Sequence, residues 1–269
     1  MSDPNPIVPA RFEPLAWDTA HFGMQVGRIV GDVREPQVLA TLLGQARSAA
    51  AALVYFLHVH PFPLEPELLA AYGGSRVAGY VRFALALSPT AGPAPAPLAG
   101  VTLEVHRGAA DDPRILSLGL GAGWLSRFRR DRRLPPAKCD ELYAVWTRRS
   151  LLGELADETL LARIDDAPVG MVTYRGHGEM AEIGLLGLAP PARGRGIGSA
   201  LLAYAHARMA ARGFARSEVV TQTENEGACR VYQRAGYAPV VTGEYYHFHL
   251  AHEAEPACAD PLRSMDGGG

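Results

Sequence analysis

Glu182-Ile183-Gly184-Leu185-Leu186-Gly187-Leu188-Ala189-Pro190-Pro191-Ala192-Arg193-Gly194-Arg195-Gly196-Ile197-Gly198 reads as a strand, a sharp turn and the start of a helix. An apolar run closes at two prolines and three alternating glycines follow. Ile197, Leu201, Tyr204, Ala205 and Met209 then recur at helical spacing as far as Gly213. The glycines therefore lie at a helix N-terminus. There the first N–H groups lack partners within the helix, the dipole is positive, and missing side chains admit a phosphate, so the turn suits an anion. Arg193 and Arg195 add charge beside it. A dinucleotide fingerprint needs G-x-G-x-x-G; Glu218 stands at a suitable distance, but these glycines alternate without the two-residue gap. A Walker loop needs a Gly-Lys-Ser/Thr ending, which is missing. Taken alone, the stretch also fits a turn that merely caps a helix.

Beyond Gly213, after an apolar strand through Val219 and Val220, Asn225-Glu226-Gly227-Ala228-Cys229-Arg230-Val231-Tyr232-Gln233-Arg234-Ala235-Gly236-Tyr237 opens a second helix. The ordered pair R-x-x-G-x-G and N-x-x-A-x-x-x-Y-x-x-x-G-Y resembles the coenzyme A site of the GNAT superfamily of N-acetyltransferases. That resemblance implies an α/β fold, a mixed and strongly twisted sheet flanked by helices, with acetyl-CoA as co-substrate and no metal. It also implies that the strand through Leu186, Gly187 and Leu188 splays from its neighbour and offers backbone groups to the pantetheine arm. Arg193, Gly194, Arg195, Gly196, Ile197 and Gly198 would hold the pyrophosphate. Asn225 would contact the coenzyme while capping its helix. Tyr232, about two turns further along the same face, would give its proton to the departing thiolate. Glu182 occupies the position of the base in the histone-acetylating branch; a surface strand residue, with ordered water taking the proton, is the other reading.

The chain has 269 residues, 48% of them hydrophobic, enough for one large core or two modest ones. A formal charge of −2 gives no global attraction for nucleic acid or an anionic membrane, so small-molecule partners are expected. Cys139, Cys229 and Cys258 are few and unclustered, which fits free thiols in a reducing compartment and argues against a zinc site. No basic region with an apolar signal core opens the chain, and no apolar segment is long enough to span a bilayer, so a cytoplasmic protein is expected.

After a loose arm at 1–10, residues 11–87 read as a smaller N-terminal α/β domain, in which Trp17 and Phe22 pack a small core. Helices are expected over 37–52 and 64–72, strands over 53–59 and 77–87. Residues 88–100 hold too many prolines for regular structure and form a linker. Residues 101–252 form the acetyltransferase domain. Its expected parts include a helix starting at Asp111 or Asp112, a hairpin of 159–164 with 168–174, and separate strands at 240–241 and 245–250. The tail 253–269 has little to bury. The small first module beside a catalytic one leaves room for a homodimer.

Residues 126–136 carry five arginines, which suits a solvated loop or a phosphate clamp. Ser126-Arg127-Phe128, then Leu142-Tyr143-x-x-Trp146, with Trp17-Asp18-x-x-x-Phe22-Gly23 near the start, resemble the TDP-fucosamine (TDP-4-amino-4,6-dideoxygalactose) acetyltransferase branch. This implies a nucleotide-linked amino sugar as acceptor. Arg127 and its neighbours would face the diphosphate, Phe128, Tyr143 and Trp146 would border sugar or base, and Gln222 would complete the acceptor site. A peptide N-terminus, a polyamine or an antibiotic are other acceptors for the same chemistry. A non-catalytic acyl-CoA sensor is a reading from another class, against which the proton donor Tyr232 argues.

Overall fold

Pro36, Pro66, Pro113 and Pro136 each open a helix, the position where a missing N–H is no loss. The computed structural model describes residues 8–88 and 98–250. Most of the arm 1–10, residues 89–97 of the linker and the whole tail 253–269 lie outside the described residues.

In chain order the elements are β1 (Arg11–Pro14), α1 (Ala16–Phe22), β2 (Val26–Val30), α2 (Pro36–Ser48), β3 (Leu53–His58), α3 (Pro66–Ala71), β4 (Gly74–Ala86) and β5 (Thr102–Val105). They continue with α4 (Pro113–Ala122), α5 (Arg127–Arg130), α6 (Pro136–Leu151), β6 (Glu158–Ile164), β7 (Ala167–His177) and β8 (Met180–Leu188). A 3-10 turn at Pro190–Ala192 leads to α7 (Ile197–Ala211), β9 (Arg216–Thr221), α8 (Glu226–Arg234) and β10 (Ala238–His249).

The chain divides into two units. One comprises Met1–Tyr55, Phe62–Gly74 and Phe248–Gly269; the other comprises Phe56–Pro61 and Ser75–His247. In the first, β1 and β2 pair antiparallel and α2 buries Leu39, Leu42, Leu43 and Ala46. Phe22 is buried as expected, but Trp17 is 42% exposed and stacks on His21. Five residues apart on α1, the two side chains point about 140° away from each other, and only Phe22 is buried.

The division differs from the boundary read from the sequence. Val81 to Ala86 of β4 pair antiparallel with Thr221 to Arg216 of β9, which draws β4 into the second unit. There the strands run in the order β10-β4-β9-β8-β7-β6-β5. β8 and β9 pair parallel, between the antiparallel pairs β4–β9 and β7–β8, which makes the sheet mixed. Helix α4 packs on β7 and β8, and α7 packs on β6, β7 and β8. Leu160, Val172, Tyr174, Ile197, Leu201 and Met209 are buried together. Each such large apolar side chain contributes about 1.5–3 kcal/mol relative to exposure.

The hairpin of β6 and β7 turns through Asp165 and Asp166, both at positive φ, as a tight two-residue connection requires. The strands expected at 240–241 and 245–250 are one strand, because extended backbone runs on through Thr242 and Gly243.

Candidate active site

Two irregularities of β8 open the site. Against β7, Val172 faces Leu186 while Tyr174 faces Ile183, so Gly184 and Leu185 form a bulge opposite Thr173. The Leu185 N–H leaves the ladder and donates to Thr173 Oγ1 at 2.9 Å. Against β9, pairing ends at Ile183 with Val219 although both strands continue. From Gly184 to Leu188, β8 thus has no ladder partner on its β9 side, and its backbone polar groups there are available to a ligand.

A cavity of about 590 Å³ occupies this opening. Leu186, Gly187, Leu188, Arg193, Gly194 and Asn225 all line it, with Gly121, Trp124, Gly227 and Val231 among the other walls. Gly187 is required by close approach: a Cβ there would meet the Leu118 carbonyl of α4. Gly194 and Gly196 have φ of +73° and +80°, the left-handed region, and Gly196 is the N-cap of α7. The turn therefore presents unpaired N–H groups and carries no bulky side chain, which fits a pyrophosphate. Arg195 and Gly196 are exposed on this turn but do not line the cavity. Ile197 and Gly198 are buried beneath it; the Ile197 side chain joins the core, so only its backbone is left for an anion.

A second cavity, of about 200 Å³, shares Ala122, Leu186, Asn225 and Ala228 with the first. Glu182 and Tyr232 line it, as do Arg127, Phe128, Tyr143, Trp146 and Gln222. Asn225 Oδ1 accepts the Ala228 N–H at 3.2 Å, capping α8. Seven residues on, Tyr232 is 4% exposed, its ring packed against Phe83 and Tyr237 at 6.0 and 5.7 Å between centroids. Burial raises the Tyr232 phenol well above its ordinary value, so it holds its proton at neutral pH. Glu182 is half-exposed, with its carboxylate 3.9 Å from His177 Nε2.

On the opposite wall the Arg127 guanidinium lies 4.6 Å from the Phe128 ring centroid and 4.7 Å from that of Tyr245. These contacts hold the cation by its faces. Tyr143 and Trp146 stack at 5.7 Å. The five-arginine segment is not a loop-borne clamp. Residues 127–130 form the short helix α5, capped by Ser126 Oγ on the Arg129 N–H. Arg129 pairs with Asp140, Arg130 donates to the Val77 carbonyl at 2.9 Å, and Arg133 donates to Ser75 Oγ at 2.7 Å. These side chains stitch the protein together, and of the five arginines Arg127 alone lines the smaller cavity. Tyr245 was missed from sequence; the alternation along β10 signals that Tyr245 and Tyr246 face opposite ways, but not which way the cleft lies.

Residues 125–237 match the acetyltransferase (GNAT) family. A mycothiol acetyltransferase of Rhodococcus opacus (strain B4) is 25% identical over 167 residues, covering 58% of this chain and 49% of that protein. The match spans about half of that relative. A GCN5-related N-acetyltransferase from Sphaerobacter thermophilus has a similar structure, with a TM-score of 0.62 at 21% identity, covering 88% of this chain and 75% of that one. A GCN5-related N-acetyltransferase from Kribbella flavida gives 0.59 at 19% identity, covering 92% and 90%. At these identities the likeness is one of fold. The chain carries the fold of these GCN5-related N-acetyltransferases, and its match to the acetyltransferase (GNAT) family lies within residues 125–237.

Proposed function

We propose that this protein moves an acetyl group directly from acetyl-CoA to the amine of a small acceptor. The observation that carries the reading is the meeting of the two cavities at Leu186 and Asn225, with Tyr232 and Glu182 in the smaller one. Arg193, Gly194 and the first amides of α7 would hold the pyrophosphate, and the unpaired edge of β8 would hold the pantetheine arm. The coenzyme supplies a thioester whose carbonyl the neutral amine attacks. Tyr232 protonates the thiolate as it leaves, and Glu182, directly or through water, takes the proton that the amine gives up. Backbone N–H groups on the unpaired edge of β8 would stabilise the oxyanion.

The acceptor proposed is a TDP-linked amino sugar of the 4-amino-4,6-dideoxyhexose type. Support comes from a cation, Arg127, on the same wall as Phe128, Tyr143 and Trp146, which suits a diphosphate beside a sugar or base. A second reading, a small amine without a nucleotide, is favoured by the engagement of Arg129, Arg130 and Arg133 within the protein. A mycothiol acetyltransferase among the relatives points the same way. Comparing kcat/KM for the TDP-linked amino sugar and the free amino sugar separates the two: a preference for the nucleotide form supports the first reading, and equal values the second.

A reducing compartment suits Cys139 and Cys229, both free; Cys258 lies outside the described residues. Among the described residues no helix is long and apolar enough to cross a membrane.

A further inference from the structure

We propose that Glu224 is a positioning residue that ties both walls of the smaller cleft to β4, an inference that rests on the acetyltransferase reading of that cleft. Glu224 lies on the loop from β9 to α8, between Gln222 and Asn225, and does not itself line the cleft. Its two carboxylate oxygens accept the Gly79 N–H of β4 at 3.1 and 3.0 Å. It also pairs with Arg76 at 3.1 Å and with Arg130 at 3.5 Å.

Each of these cations holds a further element. Arg130 ends α5, whose first residues Arg127 and Phe128 line the cleft, and its Nε donates to the Val77 carbonyl of β4 at 2.9 Å. Arg76 donates to Glu244 at 2.6 Å, and the next residue is Tyr245, whose ring lies under Arg127. The loop bearing Gln222 and Asn225, the helix bearing Arg127 and the strand bearing Tyr245 thus converge on one carboxylate. Burial pushes the Glu224 carboxyl up, but the backbone amides, Arg76 and Arg130 outweigh it and hold the group below the usual carboxylate range. An isolated surface pair contributes little; a carboxylate fixed by a backbone amide and two guanidinium groups is a network that fixes geometry.

Glu224→Gln keeps an acceptor for the Gly79 N–H and removes the charge that gathers Arg76 and Arg130. In the full chain, with TDP-4-amino-4,6-dideoxygalactose varied in a thiol-release assay, acceptor kcat/KM is expected to fall roughly ten-fold or more. Coenzyme A affinity by calorimetry is expected to fall by less than the acceptor kcat/KM, because the α7 turn assigned to the pyrophosphate lies outside this network. Arg130→Gln breaks the same pair from the other side and carries the test if Glu224→Gln does not fold. The double variant is expected to lose less than the sum of the two single losses, because both substitutions remove the same Glu224–Arg130 pair. An unchanged acceptor kcat/KM, or losses that add, would overturn the proposal. If the wild type ignores this sugar, the acceptor reading fails, and Glu224 is judged by amide exchange. The α5 amides are then expected to exchange roughly ten-fold faster in Glu224→Gln, and equal exchange overturns the proposal.

Discussion

The Leu185 amide donates to the Thr173 hydroxyl at 2.9 Å, across the bulge at which β8 leaves the ordinary ladder. Thr173 is buried, so Thr173→Val keeps the shape and strands a buried N–H. That loss costs about 1–3 kcal/mol. A lower urea midpoint together with weaker acetyl-CoA binding is expected, since the bulge shapes the edge that receives the pantetheine arm. An unchanged midpoint would mean that the hydroxyl does not support the bulge.

Gly196→Asp is expected to abolish acetyl-CoA binding while the protein stays folded. The substitution puts a carboxylate at the N-cap of α7, where it would repel the pyrophosphate from the first helical amides, and adds strain at a φ of +80°. That strain is about 1–2 kcal/mol, small enough for the fold to bear. Calorimetry showing wild-type affinity would move the pyrophosphate elsewhere.

The glycine turn before α7 and the capped helix α8 were legible in the sequence because their signals are local. The glycines before Ile197 and the run from Asn225 to Tyr232 fix backbone and helix face within a few residues. The acceptor side was legible only in part. Arg127, Phe128, Tyr143, Trp146 and Gln222 come together in one cleft, yet Tyr245 enters from a strand far along the chain, and no local pattern says which face of β10 meets Arg127. The partners of Arg129, Arg130 and Arg133 likewise come from other elements, so a run of five arginines suggested a clamp where the fold supplies mainly internal bonds. The bulge at Gly184 and Leu185 had no signal beyond a glycine in a strand. The hydroxyl that accepts the displaced Leu185 N–H stands on the neighbouring strand.

Glu158 links pH to stability. It accepts from Arg208 at 2.6 and 3.0 Å and from the Tyr174 hydroxyl at 2.7 Å. Burial would raise its carboxyl, but Arg208, Tyr174 and Arg212 outweigh burial and hold it below the ordinary 4.5. A carboxyl lowered on folding contributes stability above its unfolded value and loses it as pH falls through the folded one. Thermal midpoints of wild type and Glu158→Gln are therefore expected to lie apart at neutral pH and to converge below pH 4.5. Curves that stay parallel would remove Glu158 from the acid response.

Arg127→Ala is expected to erase much of any preference for the TDP-linked sugar and to leave acetyl-CoA affinity unchanged, because the coenzyme pyrophosphate is assigned to the α7 turn. Binding energy from the remote diphosphate orients the amine, so both affinity and turnover for that acceptor are expected to fall. The check is kcat/KM for the nucleotide-linked and free amino sugars on both proteins. A preference that survives the substitution would take the diphosphate away from Arg127.

The Tyr232 phenol, protonated at neutral pH and raised further by burial, is the proposed proton donor to the leaving thiolate. Tyr232→Phe keeps the ring contacts with Phe83 and Tyr237 and removes the hydroxyl that carries the proton. Single-turnover thiol release, with acetyl-CoA and acceptor saturating, is the direct measurement. The expected result is a rate lower by about two to four orders of magnitude, with acetyl-CoA affinity unchanged. A single-turnover rate close to that of the wild type would contradict the mechanism.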